Sequence, residues 1–201
     1  MSVYQDVIIA GFGGQGVMLM GNLLAVSAMH SGLHVTYIPV YGPEMRGGTA
    51  NCTVVISDQE VGSPIVKSPG TLIAMNRPSM EKFQPRVKKG GTVVFNASQV
   101  EPGLADSSRL QARGVKANDI ANDLGNPRLA NMVALGAYVE TTGIVSLQTV
   151  KDSLAQVIPE RYHNLLPQNA QALEAGAGGI EVLGDWGIQG FRDWGIEGLN
   201  D

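Results

Sequence analysis

Short apolar segments alternate with polar ones along the chain in a pattern that predicts an α/β protein. Residues 3–10, "VYQDVIIA", end in an apolar run typical of a buried parallel strand, and a glycine-rich stretch follows at once. Residues 14–31 then predict a helix that is apolar on almost every face. One face of such a helix covers the sheet, so the other must meet a second layer or another chain. We expect another chain.

Further strands and helices follow in alternation. Strands are predicted at 34–39, 51–57, 71–75, 91–95 and, as a short piece, 115–119. Helices are predicted at 78–87, between the N-cap Asn126 and the stop Gly143, at 147–158 after the N-cap Ser146, and at 165–176. This order predicts one Rossmann-like α/β domain, residues 1–178, with a mostly parallel sheet flanked by helices.

The last segment, residues 179–201, has a different composition. Asp-Trp-Gly-Ile at 185–188 recurs at 193–196, and glycines interrupt any helical or strand pattern. We expect a tail that is flexible in isolation. Docking on a partner chain is the alternative, because both tryptophans of the chain lie here and disordered segments are usually poor in aromatic residues.

Charge and cysteine content exclude several classes of protein. A net charge of -4 and a pI near 5.3 argue against nucleic acid or an anionic membrane as the main partner. The single cysteine, Cys52, cannot close an intrachain disulfide, hold an iron–sulfur cluster or build a cysteine-rich zinc site. Cys52 alternates with Val54 and Ile56, which indicates a buried structural thiol. The sequence lacks a bilayer-length apolar run and a signal-peptide pattern, so we expect a cytoplasmic protein.

The stretch "GFGGQG" has the spacing of a phosphate-binding glycine loop, a match that is weak evidence when it stands alone. Gly11, Gly13 and Gly16 fit the G-x-G-x-x-G spacing where a predicted strand turns into a helix, with Gly14 and Gln15 between them. Free N–H groups at the helix start favour an anion such as a phosphate. A dinucleotide site also needs an acidic residue after the second strand, but "YIPVYG" stands there, so NAD binding is a minor alternative. A turn that serves only helix packing is the other.

A second loop, "YGPEMRGG" at 41–48, follows the second predicted strand. Gly42-Pro43 enforces a turn, and Gly47 and Gly48 let the backbone lie close to a ligand. Arg46 is a candidate for a phosphate or carboxylate, and Glu44 is a candidate either to orient Arg46 or to pair across an interface. Because both loops follow parallel strands, they are expected to face one cleft.

Acid–base chemistry has no obvious residues. The three histidines, His30, His34 and His163, have no evident carboxylate or nucleophile partner in sequence, and no metal-ligand spacing is visible. We interpret all three as structural or surface residues.

Four stretches together resemble a known family: "IAGFGGQGVMLMGNLLA", "YGPEMRGGTANCTVVISD", "LIAMNRPSMEKF" and "NMVALGAYVETTG". They are similar to the gamma subunit of 2-oxoacid:ferredoxin oxidoreductases, most closely the 2-oxoglutarate type and next the branched-chain 2-oxoacid type. The resemblance covers residues 7–176. It implies that residues 1–178 are a gamma-type domain of this family, and it leaves the tail unexplained.

The resemblance implies an enzyme of several chains that converts a 2-oxoacid, coenzyme A and oxidised ferredoxin to acyl-CoA, carbon dioxide and reduced ferredoxin. It places thiamine diphosphate between alpha and beta subunits and iron–sulfur clusters on partners that include a small ferredoxin-like delta subunit. This chain is then expected to have no catalytic residue and no metal, and to help complete the coenzyme A pocket. The candidate residues are Gly11, Gly13, Gly14, Gln15, Gly16, Tyr41, Glu44, Arg46, Gly47 and Gly48. A stand-alone nucleotide-binding protein and a purely structural subunit remain the alternatives.

Overall fold

The computed structural model describes residues 3–40 and 49–182, which form one seven-stranded sheet with helices on both faces. The strands are β1 Tyr4–Phe12, β2 His34–Val40, β3 Thr49–Ser57, β4 Thr71–Ala74, β5 Thr92–Asn96, β6 Gln111–Val115 and β7 Ile180–Val182. The helices are α1 Val17–His30, α2 Arg77–Phe83, α3 Ala117–Asp123, α4 Ala130–Thr142, α5 Leu147–Val157 and α6 Leu166–Gly178.

The sheet has the order β2-β3-β1-β4-β5-β6-β7. Strands β1, β4, β5 and β6 are parallel neighbours, whereas β3 runs antiparallel to both β1 and β2, and β7 runs antiparallel to β6. Strand β2 therefore has the direction of β1, and only β3 and β7 of the described strands run the other way. The expected mostly parallel sheet is confirmed.

The sheet separates two hydrophobic cores. The larger core lies under α1 and α3 to α6, and the smaller one lies under α2 and the segment 97–110. Along β1, Val7 and Ile9 point to the larger core, and Ile8 and Ala10 point to the smaller one. Burial on both faces explains why this strand is a continuous apolar run in the sequence.

Helix α1 is covered by other elements of its own chain on more sides than expected. One side of it lies on β1, β2 and β3, and α5 packs against another side, where His30 Nδ1 lies 2.9 Å from Ser153 Oγ. Within α1 only Asn22, Met29 and His30 are exposed. The expectation that another chain covers the second face is therefore wrong where α5 packs, because a second layer of the same domain buries those side chains.

The ends of several elements differ from the predicted ones. Strand β6 ends at Val115, and α3 begins at Ala117, whose N–H donates to Asn96 Oδ1 at 3.2 Å, so the strand predicted at 115–119 is wrong. Helix α2 gives way at Gln84 to a 3-10 turn containing Pro85, which lacks the N–H that a continuing helix requires.

The predicted caps are confirmed. The Asn126 side chain accepts from Arg128 N at 3.2 Å, although residues 127–129 form a 3-10 turn before α4. Gly143 ends α4 in the left-handed conformation, with φ 61°, and Ser146 Oγ accepts from Thr149 N at 3.0 Å. Strand β7 was not predicted, and with it the sheet continues to Val182, beyond Gly178.

Candidate functional site

The glycine loop lies at the carboxyl edge of the parallel strands, because β1 runs parallel to β4 and ends at Phe12. Strands β1 and β2 both end at this edge and β3 begins there, because Phe12 pairs with Thr49 and Val40 pairs with Asn51. The two anchors of the segment 41–48 therefore lie at the same edge of the sheet as the glycine loop, on one side of β1. Tyr41, Glu44, Arg46, Gly47 and Gly48 themselves lie outside the described residues, so their side of the expected cleft stays a prediction.

The glycine loop is a tight turn from β1 into α1. Gln15 N donates to Phe12 O at 3.1 Å, and Gly14 and Gly16 have φ of 94° and 72°, a backbone region that favours glycine. Gly13 and Gly14 are exposed. Gly16 is the N-cap of α1, which has no side-chain cap hydrogen bond and no acidic residue in its first turn. Backbone N–H groups at such a start, together with the helix dipole, suit an anion.

Gly11 and Gly16 are required by close packing. A Cβ on Gly11 would lie 2.9 Å from Gln15 Oε1 and 2.9 Å from Val17 Cγ2. A Cβ on Gly16 would lie 2.3 Å from Asn131 Nδ2, on α4. The third glycine of the motif thus makes room for an amide from a distant helix.

The Gln15 side chain holds the loop to the sheet. Its Oε1 accepts from Phe12 N at 2.7 Å and from Asn76 Nδ2 at 2.8 Å. Asn76 follows β4, is only 2% exposed, and caps α2 by accepting from Ser79 N at 2.9 Å. The Gln15 oxygen therefore accepts hydrogen bonds that fix the position of the loop.

A second buried amide extends this hydrogen-bond network along the carboxyl edge of the sheet. Asn96, at the end of β5, donates to Met75 O at 3.3 Å and to Asn118 Oδ1 at 2.6 Å. Its own oxygen accepts from Ala117 N and thereby starts α3. Sequence reasoning missed Asn76, Asn96 and Asn118. The available signal was an asparagine directly after or at the end of two buried strands, in "TLIAMN" and "TVVFN".

Cys52 is a buried thiol, as predicted. It is completely buried, its Sγ donates to Val17 O at 3.5 Å, and burial raises the pKa of the thiol to about 12. The thiolate, which is the nucleophile, is therefore negligible near neutral pH.

Two of the histidines serve contacts away from the glycine loop. His30 pairs with Ser153, and His163 Nε2 lies 2.9 Å from Ile158 O. Within residues 3–40 and 49–182, no group of three His, Cys, Asp or Glu side chains could hold a metal ion. In the same ranges, no helix combines the length and apolar character needed to cross a membrane.

Relatives of this chain are known from sequence. Residues 6–178 match the family described as pyruvate ferredoxin/flavodoxin oxidoreductase. The chain is 40% identical over 173 residues to the ketoisovalerate oxidoreductase subunit VorA of Methanothermobacter marburgensis. The aligned region covers 85% of this chain and 35% of VorA. It is 36% identical over 184 residues to the 2-oxoglutarate synthase subunit KorC of Methanothermobacter thermautotrophicus. The aligned region covers 88% of this chain and 95% of KorC. The chain thus spans about a third of VorA and nearly all of KorC.

Solved structures share the fold. The gamma subunit of a keto/oxoacid ferredoxin oxidoreductase from Geobacter sulfurreducens has a TM-score of 0.75 at 27% identity, over 89% of this chain and 99% of that one. The 2-oxoglutarate:ferredoxin oxidoreductase of Magnetococcus marinus, solved with 2-oxoglutarate, coenzyme A and succinyl-CoA bound, has a TM-score of 0.77 at 23% identity. That match covers 87% of this chain and 30% of the other, and it shows the fold alone. On the match over residues 6–178, the chain belongs to the pyruvate ferredoxin/flavodoxin oxidoreductase family.

Proposed function

We propose that this chain is the gamma subunit of a multi-subunit 2-oxoacid:ferredoxin oxidoreductase. The complex would convert a 2-oxoacid, coenzyme A and oxidised ferredoxin to acyl-CoA, carbon dioxide and reduced ferredoxin. The observation that carries this proposal is the alignment with KorC, which extends over 95% of that subunit. We place the complex in the cytoplasm, where a reducing environment suits a chain with one free cysteine.

The part proposed for this chain is to hold coenzyme A. Coenzyme A carries a pyrophosphate and a 3′-phosphate, and phosphates fit the uncapped start of α1 and the exposed backbone of Gly13 and Gly14. Arg46 and the glycines of the segment 41–48 are proposed to complete the pocket, since the anchors of this segment lie at the same edge of the sheet as the glycine loop. Thiamine diphosphate and the iron–sulfur clusters would be held by the alpha, beta and delta subunits, and the thiamine supplies the carbanion chemistry.

The surface proposed to meet the thiamine-bearing subunits is the loop edge rather than α1. Phe12, within the glycine loop, and Val40, at the end of β2, are 39% and 44% exposed. Their strand positions pair with Thr49 and Asn51, so both side chains leave the same face of the sheet. Apolar side chains next to a ligand cleft suit a subunit contact that closes the cleft.

Co-purification tests the subunit assignment. The tagged chain is purified from its native host under anaerobic conditions, and dye reduction is assayed with several 2-oxoacids and coenzyme A. We expect thiamine-binding partners and activity that depends on coenzyme A, with the preferred 2-oxoacid identified by the assay. Recovery of a monomer without partners would instead support a stand-alone nucleotide-binding protein.

A glycine variant tests the coenzyme A pocket within the assembled complex. Gly13→Leu places a side chain in the exposed turn and should raise the KM for coenzyme A about tenfold or more, the effect of losing a charge-assisted contact. Gly62→Leu is the matched control, because an added Cβ at Gly62 meets nothing within 4 Å and this residue lies in the loop after β3. If Gly13→Leu assembles and keeps the same KM and turnover, the purely structural role is correct.

A further inference from the structure

Asn131 brings a side-chain amide from α4 to the start of α1. A Cβ on Gly16 would lie 2.3 Å from Asn131 Nδ2 and 2.8 Å from its Cγ, so the amide lies directly against the Gly16 backbone. Gly16 is the N-cap of α1, and Asn131 is the second residue of α4. The amide thus lies against the backbone of the N-cap residue of α1, in a place that only a glycine at position 16 leaves open.

This amide has no hydrogen-bond partner among the described residues, although Asn131 is only 6% exposed. Other buried asparagines of the chain are bonded: Asn76 to Gln15, Asn96 to Asn118, and Asn169 to Leu165 O at 2.7 Å. Buried polar groups in folded proteins are nearly always paired. The Asn131 amide is not among the fully enclosed unpaired atoms of the described residues, so solvent or a ligand can reach it. An amide that the described chain leaves unpaired and within reach, beside an uncapped helix start, is placed to meet a partner from outside the described chain.

We infer that Asn131 Nδ2 donates a hydrogen bond to an oxygen of a phosphate group bound at the start of α1. Phosphate oxygens accept hydrogen bonds, and a neutral amide adds direction to the backbone N–H groups of the helix without adding charge. Asn131 is thereby a ligand contact that belongs to neither of the two loops. The identification of the phosphate as part of coenzyme A rests on the proposed function, but the contact to phosphate does not.

The test uses the full 201-residue chain and inorganic pyrophosphate as the probe, with the dissociation constant measured by calorimetry. Asn131→Ala removes the donor, and Asn131→Asp keeps the shape while it places a carboxylate beside the anion. We expect affinity to fall about tenfold in Asn131→Ala and further in Asn131→Asp. The control is Asn122→Asp, which makes the same charge change at an exposed residue near the end of α3 and should stay within about twofold of wild type.

Thermal unfolding without ligand shows whether each variant is folded, and Asn131→Ala decides the matter if the aspartate variant is not. Unchanged affinity in a folded Asn131→Ala overturns the inference, and so does a wild-type chain that does not bind pyrophosphate. The KM for coenzyme A in the assembled complex is measured with the same variants. Pyrophosphate binding that depends on Asn131, with an unaffected coenzyme A KM, would uphold the phosphate contact and reject the coenzyme A pocket.

Discussion

At the scale of single residues, the glycine loop is held by neutral amides. Gln15, Asn76, Asn96 and Asn118 connect the ends of β1, β4 and β5 through hydrogen bonds that carry no net charge. A salt bridge in the same place would set a fixed charge beside the helix start, whereas amides fix the backbone and leave the positive field of α1 open to an anion.

The glycine spacing predicted the strand, turn and helix correctly, but it could not predict the hydrogen bonds among the amide side chains. Gln15 and Asn76 are separated by 61 residues, and an asparagine after a strand is also the ordinary residue of a turn. The ligand at the loop stays a prediction.

The variant Asn76→Asp separates the two roles of Asn76. An aspartate caps α2 as well as an asparagine does, but its second oxygen would face Gln15 Oε1, which now accepts from Asn76 Nδ2 at 2.8 Å. We expect the free energy of unfolding, measured in urea, to fall by about 2 kcal/mol. The same change in a Gln15→Ala background should cost clearly less, and equal costs in the two backgrounds would show that the two side chains are not coupled.

At the scale of elements, α4 and α6 touch through a pair of glycines. A Cβ on Gly136 would lie 2.0 Å from Leu173 O, and a Cβ on Gly176 would lie 1.9 Å from Val133 O. Each helix thus rests on the backbone of the other. The sequence predicted both helices and the end of α4 at Gly143, since caps and proline are local signals, although α4 begins later and α6 ends later than predicted. A glycine inside a helix, however, normally indicates a position that weakens the helix. Its packing role depends on a partner that periodicity does not identify.

Alanine substitutions at this crossing should be destabilising although alanine favours helices. An exposed glycine in a helix gains about 1 kcal/mol on change to alanine. At Gly136 or Gly176 the new methyl group meets a backbone carbonyl and must push the helices apart, so we expect a net loss of about 2 kcal/mol in the free energy of unfolding.

Gly178→Ala is the matched control for these two variants, because Gly178 is the last residue of α6 and a Cβ there meets nothing within 4 Å. Thermal or urea unfolding should show opposite signs for the crossing and the control. A gain in stability at Gly136 would mean that the helices do not pack this closely.

At the scale of the whole molecule, apolar runs predicted most strands but not their neighbours. Strand order and the antiparallel direction of β3 arise from pairings between distant segments, such as Ile9 with Cys52 and Ile9 with Ile73. Strand β7 was not predicted because it has three residues and Glu181 at its centre, so it has no apolar run of its own. Its place depends on pairing with Arg113, Gly114 and Val115.

Burial on both sides of the sheet also creates two weak acids that resist ionisation. The Cys52 thiol and the Tyr138 hydroxyl are buried, and burial raises the pKa of each to about 12 from ordinary values of 9.0 and 10.0. Tyr138 accepts from Gln5 Nε2 at 2.6 Å and lies 3.2 Å from Thr71 Oγ1. In the unfolded chain both groups ionise at their ordinary pKa, whereas in the folded chain they keep their protons for about two to three further pH units.

The stability of the chain should therefore fall in alkali. Below about pH 8 both groups are largely protonated in both states, and their contribution to stability is nearly constant. As the pH rises from about 8 toward 12, the unfolded state releases protons that the folded state retains, and each group lowers the free energy of unfolding by up to about 1.4 kcal/mol per pH unit. Urea unfolding between about pH 8 and 11 measures this slope.

Tyr138→Phe loses the hydrogen bonds to Gln5 and Thr71, so it should be less stable at every pH but have a shallower alkaline slope. Tyr162→Phe, at a residue that is 46% exposed, should retain the wild-type slope. A Tyr138→Phe slope equal to that of wild type would mean that the Tyr138 hydroxyl ionises in the folded chain as readily as in the unfolded one.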